Sequence, residues 1–227
     1  MLPIPKGFVK RPAMSPDGTK VAYWRAATTR PPGARTWLAD FDLWEFDLAS
    51  GENRLFAGEH RFFLANGVQY TSSDEVLVNA DSPTSIPMSI FEYHAKYGYN
   101  QVYFLKRGMR QLPPPAYAEV KSVRAAAIAN KNRIYLLGEP PPHGISIVEM
   151  AENGVKQRWR VPYLTRDGIS SVFGSPREAY LLFTYPSVPL RSSGPATGIG
   201  MFDLQEKRWF PISIQQPEVA LPLMPEK

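Results

Sequence analysis

The stretch Ser15-Pro16-Asp17-Gly18-Thr19-Lys20-Val21-Ala22-Tyr23-Trp24 decides how the rest of the chain is read. Proline presets a turn dihedral, aspartate can bond its own backbone two residues on, and glycine supplies a positive φ, so Ser15–Gly18 reads as a tight turn. Lys20 to Trp24 is rich in strand formers. Before the turn, Phe8 to Met14 gives a first strand. After it, a long basic connection from Arg25 to Phe41 leads to an apolar strand, Leu43 to Leu48, which ends in Asp47-Leu48-Ala49-Ser50-Gly51. Asn53-Arg54-Leu55-Phe56 follows as a fourth strand. Four strands in roughly fifty residues form one unit.

The unit recurs to the end of the chain. Post-turn strands begin at Val21, Val76, Ile134 and Ala179, about 45–58 residues apart. Asp47-Leu48 and Asp203-Leu204 occupy one place in the first and last units, and Arg158-Trp159 and Arg208-Trp209 start similar fourth strands. The repeats span 8–57, 67–112, 119–162 and 168–213, with an extended tail over 214–227. In the second unit, Gln101 to Leu105 and Met109 to Leu112 read as the third and fourth strands, and Pro113-Pro114-Pro115 as its boundary. The 23 prolines and 16 glycines suit short strands and many turns better than helices.

A four-stranded repeat of this length is the mark of a β-propeller blade; an irregular sandwich is the competing arrangement. The Ser-Pro-Asp-Gly turn, strand, loop and Asp-Leu-x-x-Gly end resemble the TolB-type, WD-repeat-like bacterial propeller repeat. The match is good in the first unit, fair in the fourth and in outline only in the second and third. The resemblance implies an architecture, shared by protein-binding scaffolds, substrate-gating domains and some enzymes. The expected fold is a single all-β, propeller-like domain over residues 1–227, with about four four-stranded blades. Four is the lower limit for a closed ring, so three readings stay open: a small closed ring, an open arc whose ends pair with another chain, or a blade set that completes a shared assembly.

Lys and Arg outnumber Asp and Glu by 26 to 21, a mild excess that falls short of a nucleic-acid signature. There is no cysteine, so no disulfide framework and no thiolate metal site exist. Met1 to Phe8 has no apolar signal-peptide region, and the longest apolar runs are strand-sized, so the expectation is a cytoplasmic protein without a transmembrane segment. Peripheral attachment to a membrane complex stays open.

In a propeller the connections between second and third strands emerge on one face. Here they run over Arg25–Phe41, Asp81–Asn100, Glu139–Gly144 and Pro186–Thr197, and three of them are long enough to carry function. The richest is Phe91-Glu92-Tyr93-His94-Ala95-Lys96-Tyr97-Gly98-Tyr99. Its Phe91, Tyr93, His94, Lys96, Tyr97 and Tyr99 are candidate binding residues, joined by Arg30, Arg35 and Trp37 of the first connection and Arg191 of the fourth. The same rings would also serve as plugs between blades. His60, His94 and His143 show no metal-ligand spacing; a site of His94 and His143 with Asp81, Glu92 and Glu139 is the one metal arrangement the connections allow. Nucleophile-elbow, P-loop and dinucleotide motifs are absent. Arg54, Arg110, Arg158, Arg160 and Arg208 read as edge-strand charges that block unwanted pairing. The function expected is a non-catalytic interaction or scaffold module, a subunit of a larger assembly that needs no cofactor and binds protein or a second copy of itself. A propeller enzyme or small-ligand binder, of hydrolase or lyase type, is the alternative.

Overall fold

The structure, a computed structural model, describes residues 8–26, 40–130, 133–138, 146–151, 154–160, 171–174, 180–187 and 196–212. These hold four successive antiparallel meanders. The first is β1 (Val9–Met14), β2 (Lys20–Ala26), β3 (Phe41–Asp47) and β4 (Asn53–Leu55). The second is β5 (Phe62–Tyr70), β6 (Glu75–Pro83) and β7 (Gln101–Lys106). The third is β8 (Val123–Asn130), β9 (Arg133–Gly138), β10 (Ser146–Ala151) and β11 (Gly154–Arg160). The fourth is β12 (Ser171–Gly174), β13 (Tyr180–Ser187), β14 (Ala196–Asp203) and β15 (Arg208–Ile212).

Strand order within each meander follows the chain, and a single β3–β5 pair, Phe41 with Phe62, joins the first two into one sheet. The first strands adjoin: β1 packs beside β5, β5 beside β8 and β8 beside β12. This is the hub arrangement of an all-β, propeller-like fold.

The turn that organises the first meander is built as its residues dictate. Asp17 Oδ1 accepts from the Ser15 hydroxyl at 2.6 Å and from the Thr19 amide at 3.0 Å. Gly18 takes φ 71° and its N–H donates to Ser15 O at 2.9 Å. At the far end of the meander, Asp47 Oδ1 accepts from the amides of Ala49 and Ser50.

Strand β6 is buried along almost all its length because its alternate residues serve two cores. Val76, Val78 and Ala80 pack with Tyr103 and Leu105 against Ala22, Trp24, Leu43 and Phe56 of the first meander. Leu77 packs with Val102 on Val120, Val123, Val148 and Met150 of the third. Among the described residues no packing of that extent joins β12–β15 back to β1–β4. Val21, Tyr23 and Phe46, on the face of the first meander turned away from the second, are nevertheless buried.

Three local expectations change. Residues 109–112 form no strand, so the second meander has three strands and not four. The run Pro113-Pro114-Pro115 lies beside β7 and has no N–H groups to donate; the ladder is represented there by Ala116 N–H donating to Val102 O at 2.8 Å. The backbone near Met109 serves the first meander instead, since Gly58 N–H donates to Met109 O at 2.7 Å. Second, ladder register pairs Lys20 with Asp47 and Tyr180 with Asp203, so Leu181, not Ala179, is the counterpart of Val21. Third, Arg158 stands opposite Val148 and Arg208 opposite Asp203, so those two Arg-Trp pairs are not equivalent in register.

Candidate functional site

The connection from β6 to β7 is not an open loop. Residues Ile90–Tyr97 form a helix, α1. Its start is a capping box: the Glu92 amide donates to Ser89 Oγ at 3.2 Å, and Glu92 Oε2 accepts from the Ser89 backbone N–H and hydroxyl, both at 2.8 Å. Those two bonds hold the Glu92 carboxyl below its ordinary value. Gly98 ends the helix with φ 79°, and its N–H donates to His94 O. A Cβ on Gly98 would meet Ser122 Oγ at 2.6 Å, so the chain can pass only as glycine.

Two side chains tie α1 to the sheet. Tyr93 is buried, with its hydroxyl 2.6 Å from that of Tyr103. Burial pushes both phenols above their ordinary value. His94 Nε2 lies 2.9 and 3.0 Å from the two carboxylate oxygens of Asp81, at the end of β6. Asp81 is almost wholly buried, and Asn100 N–H reaches its Oδ1 at 3.4 Å. The Tyr99 amide donates to Ser122 Oγ at 3.1 Å, fixing the exit of the helix on the third meander.

With the helix so held, Phe91, Lys96 and Tyr99 face outward, while Tyr97 is half-buried with its ring 5.1 Å from that of Tyr93. Phe91 is 82% exposed and Tyr99 62% exposed. The Tyr99 ring lies over the His94 imidazole at 4.4 Å between centroids, and Lys96 Nζ stands 5.0 Å from the Tyr97 ring. The connection thus separates by role: Tyr93 and His94 anchor, while Phe91, Lys96 and Tyr99 present. Arg30, Arg35, Trp37 and Arg191 lie outside the described residues, as do Glu139 and His143. Of the supposed metal set, Glu92 is engaged by Ser89 and His94 by Asp81. Among the described residues no group of three or more His, Asp or Glu side chains is arranged to hold a metal ion.

The same rim carries a second histidine. His60, on the approach to β5, is buried, its Nδ1 3.4 Å from Ser85 Oγ, and burial lowers its basicity. Beside it, Asp42 Oδ1 accepts from the Arg61 amide at 2.9 Å, while burial pushes the Asp42 carboxyl up. None of these groups was singled out by motif. The one legible signal for the helix was the Ser89-x-x-Glu92 box, set among turn residues that masked it.

No family model matches the chain, and no curated protein matches it. Solved structures do. TolB from Acinetobacter baumannii superposes with TM-score 0.59 at 12% identity, over 93% of this chain and 44% of that one. A gluconolactonase from Xanthomonas campestris (TM-score 0.49, 14% identity, 90% of this chain and 75% of that one) and a putative TolB from Agrobacterium tumefaciens (0.46, 11%, 90% and 80%) are similar more loosely. The protein therefore has a propeller-type, TolB-like architecture. It spans less than half the length of the Acinetobacter TolB. No helix among the described residues is long and apolar enough to cross a membrane.

Proposed function

We propose that the protein is a non-catalytic interaction module, a subunit of a larger assembly, that binds protein through the face carrying α1. In this reading residues 8–57, 67–112, 119–162 and 168–213 are blades of one body. The observation that supports it is a pair of exposed aromatics, Phe91 on α1 and Tyr99 just past its glycine stop, on a connection whose position is set by buried contacts. A rigid aromatic offers a large contact area at little entropic cost, and a surface helix otherwise has no reason to present a phenylalanine at 82% exposure.

The test is the native mass of the tagged chain purified from its own cells, compared with a Phe91→Ser, Tyr99→Ser double variant. The wild type should run in a species larger than 25.5 kDa, and the variant as the free chain with an unchanged denaturation midpoint. Equal masses for the two would remove α1 from the interface.

A second reading, a propeller enzyme or ligand binder, draws on Asp81 and His94. A buried carboxylate that orients an imidazole is the arrangement in which a histidine works as base or ligand. Under that reading His94→Gln abolishes ligand binding while leaving the native mass of the assembly as it was.

A further inference from the structure

Helix α1 divides its side chains between two sides. Tyr93, His94 and Tyr97 fall toward the sheet: Tyr93 reaches Tyr103, His94 meets Asp81, and the Tyr97 ring stands 5.1 Å from that of Tyr93. Phe91, Glu92, Ala95 and Lys96 fall on the other side, and all four are exposed. Tyr99, past the glycine stop, extends that outer side, with its ring stacked on His94. The exposed side therefore holds an apolar row, Phe91, Ala95 and Tyr99. Beside it stand one acid and one base a turn apart, Glu92 and Lys96. Glu92 turns its Oε2 to the cap, and its side chain stays at the surface.

We propose that the partner of α1 is a second copy of this chain, its α1 lying antiparallel on the first across a two-fold axis at Ala95. This rests on the reading of α1 as the binding face and names what that face binds. A two-fold contact presents one patch twice, so the patch must complement itself when reversed. This one does. Phe91 and Tyr99 are four residues either side of Ala95, so Phe91 of each copy comes to lie against Tyr99 of the other. The two alanines meet at the axis, where small side chains allow an interaxial distance at the short end of the usual range, about 8 Å. Glu92 of one copy stands about 3 Å along the axis from Lys96 of the other, at a rise of about 1.5 Å per residue, within reach of both side chains. A parallel pairing would set like charges side by side.

Charge selects the same occupant. The chain carries a formal net charge of +5, so two copies repel on approach and are best joined where local charge cancels. Glu92 and Lys96 cancel on this face, and a strongly acidic or basic partner would meet no opposite net charge there. Area sets the strength. From the exposure of Phe91 and Tyr99, the four rings of a pair offer on the order of 600 Å², below the roughly 1,200 Å² of a lasting complex. The contact therefore holds where copies are concentrated, as within an assembly, and loosens on dilution.

The experiment uses the intact chain, made alone. It has no cysteine, so in Ala95→Cys any disulfide joins two copies at the axis. In a glutathione buffer this variant should couple to twice 25.5 kDa roughly tenfold faster than Ser73→Cys, an exposed position in the turn at the opposite end of β6. Adding Phe91→Ser should remove that advantage. In sedimentation the wild type should move from 25.5 kDa toward twice that mass as concentration rises through the micromolar range. Ala95→Glu, which sets two carboxylates against each other at the axis, should stay at 25.5 kDa; glutamate is a good helix former, so α1 itself is kept. Coupling at position 95 no faster than at position 73 overturns the proposal, as does a wild type that keeps 25.5 kDa throughout. The native mass in cells then separates two failures. If the larger species still needs Phe91 and Tyr99, α1 binds a different protein; if it does not, the reading of α1 as the binding face falls as well.

Discussion

Glu45 and Glu149 hold the same position in the first and third meanders, one residue before the partner of the post-turn strand (Phe46 opposite Val21, Met150 opposite Ile134). Each lies in the third strand of its meander and is reached by one cation from its own fourth strand and one from the next meander. At Glu45 these are Arg54, with Nη2 at 2.9 Å, and Arg107, with Nη2 at 2.6 Å. At Glu149 they are Lys156, at 3.0 Å, and Lys207, at 3.7 Å. In the second meander the position is taken by Phe104, which packs edge-on against Tyr117. The clasp thus recurs every second meander, and the two copies differ in chemistry.

Glu45 is wholly buried and accepts five bonds: two from each arginine and one from the Tyr70 hydroxyl at 3.0 Å. A planar guanidinium meets a carboxylate through two parallel N–H groups, so both oxygens are satisfied and the geometry is fixed. Among the described residues Glu149 meets two ammonium groups, each a point charge on a flexible stem, and Lys156 is more than half exposed. The same sequence position can therefore lock two meanders together or only lean them on each other. What decides is the fork on the partner.

The largest effect should come from Glu45→Gln, which removes the charge both arginines were aimed at. Breaking a buried pair costs about 3–5 kcal/mol, but Arg54 and Arg107 keep access to water, so about 2–3 kcal/mol is expected from urea unfolding. A loss as small as that of Glu149→Gln would end the distinction between the copies. Acid sharpens the comparison. Burial raises the Glu45 carboxyl, but bonds from Arg107, Arg54 and Tyr70 outweigh it and hold it below 4.5. A carboxyl depressed on folding contributes in full above its unfolded value, and the contribution is lost as pH falls through the folded one. The gap between wild type and Glu45→Gln should therefore be constant near neutrality and shrink below about pH 4.5. A gap that persists at pH 3 would show shape, not charge, at work.

Arg107→Lys comes next, at about 1–2 kcal/mol, because a lysine cannot serve both oxygens and the Ser73 carbonyl that Arg107 also reaches. Glu149→Gln should cost about 1 kcal/mol, because its two ammonium groups make single point-charge contacts, one of them only at 3.7 Å, and a glutamine still accepts from them. If Lys156→Arg raised stability by a similar amount, the deficit of the third meander would be traced to the fork alone.

Much of this protein was legible in one dimension. The turns were, since Asp17 and Asp47 cap backbone amides two and three residues away and need nothing distant to do so. So were the strands, whose β-branched and aromatic runs are bounded by such turns. The candidate site was legible as composition but not as geometry. Phe91 and Tyr93 are two residues apart and equally aromatic, yet a helix sends one outward and the other onto Tyr103. The capping box that makes the helix was present in the letters. The proline-rich surroundings argued for a loop, and local bonding prevailed.

By itself, then, the chain order of turns and apolar strands determined an all-β repeat, because period-two burial and turn chemistry act over a few residues. Tertiary structure decided what each charge and ring is for. Arg54 looked like an edge charge and instead joins Arg107 at Glu45, a pairing that spans 62 residues for Arg107. Lys10 lies in the first strand, and it is the ladder register that puts it beside Trp24. Those roles depend on which meander lies against which, and on the register between strands. Long-range packing selects both, and no local preference encodes either.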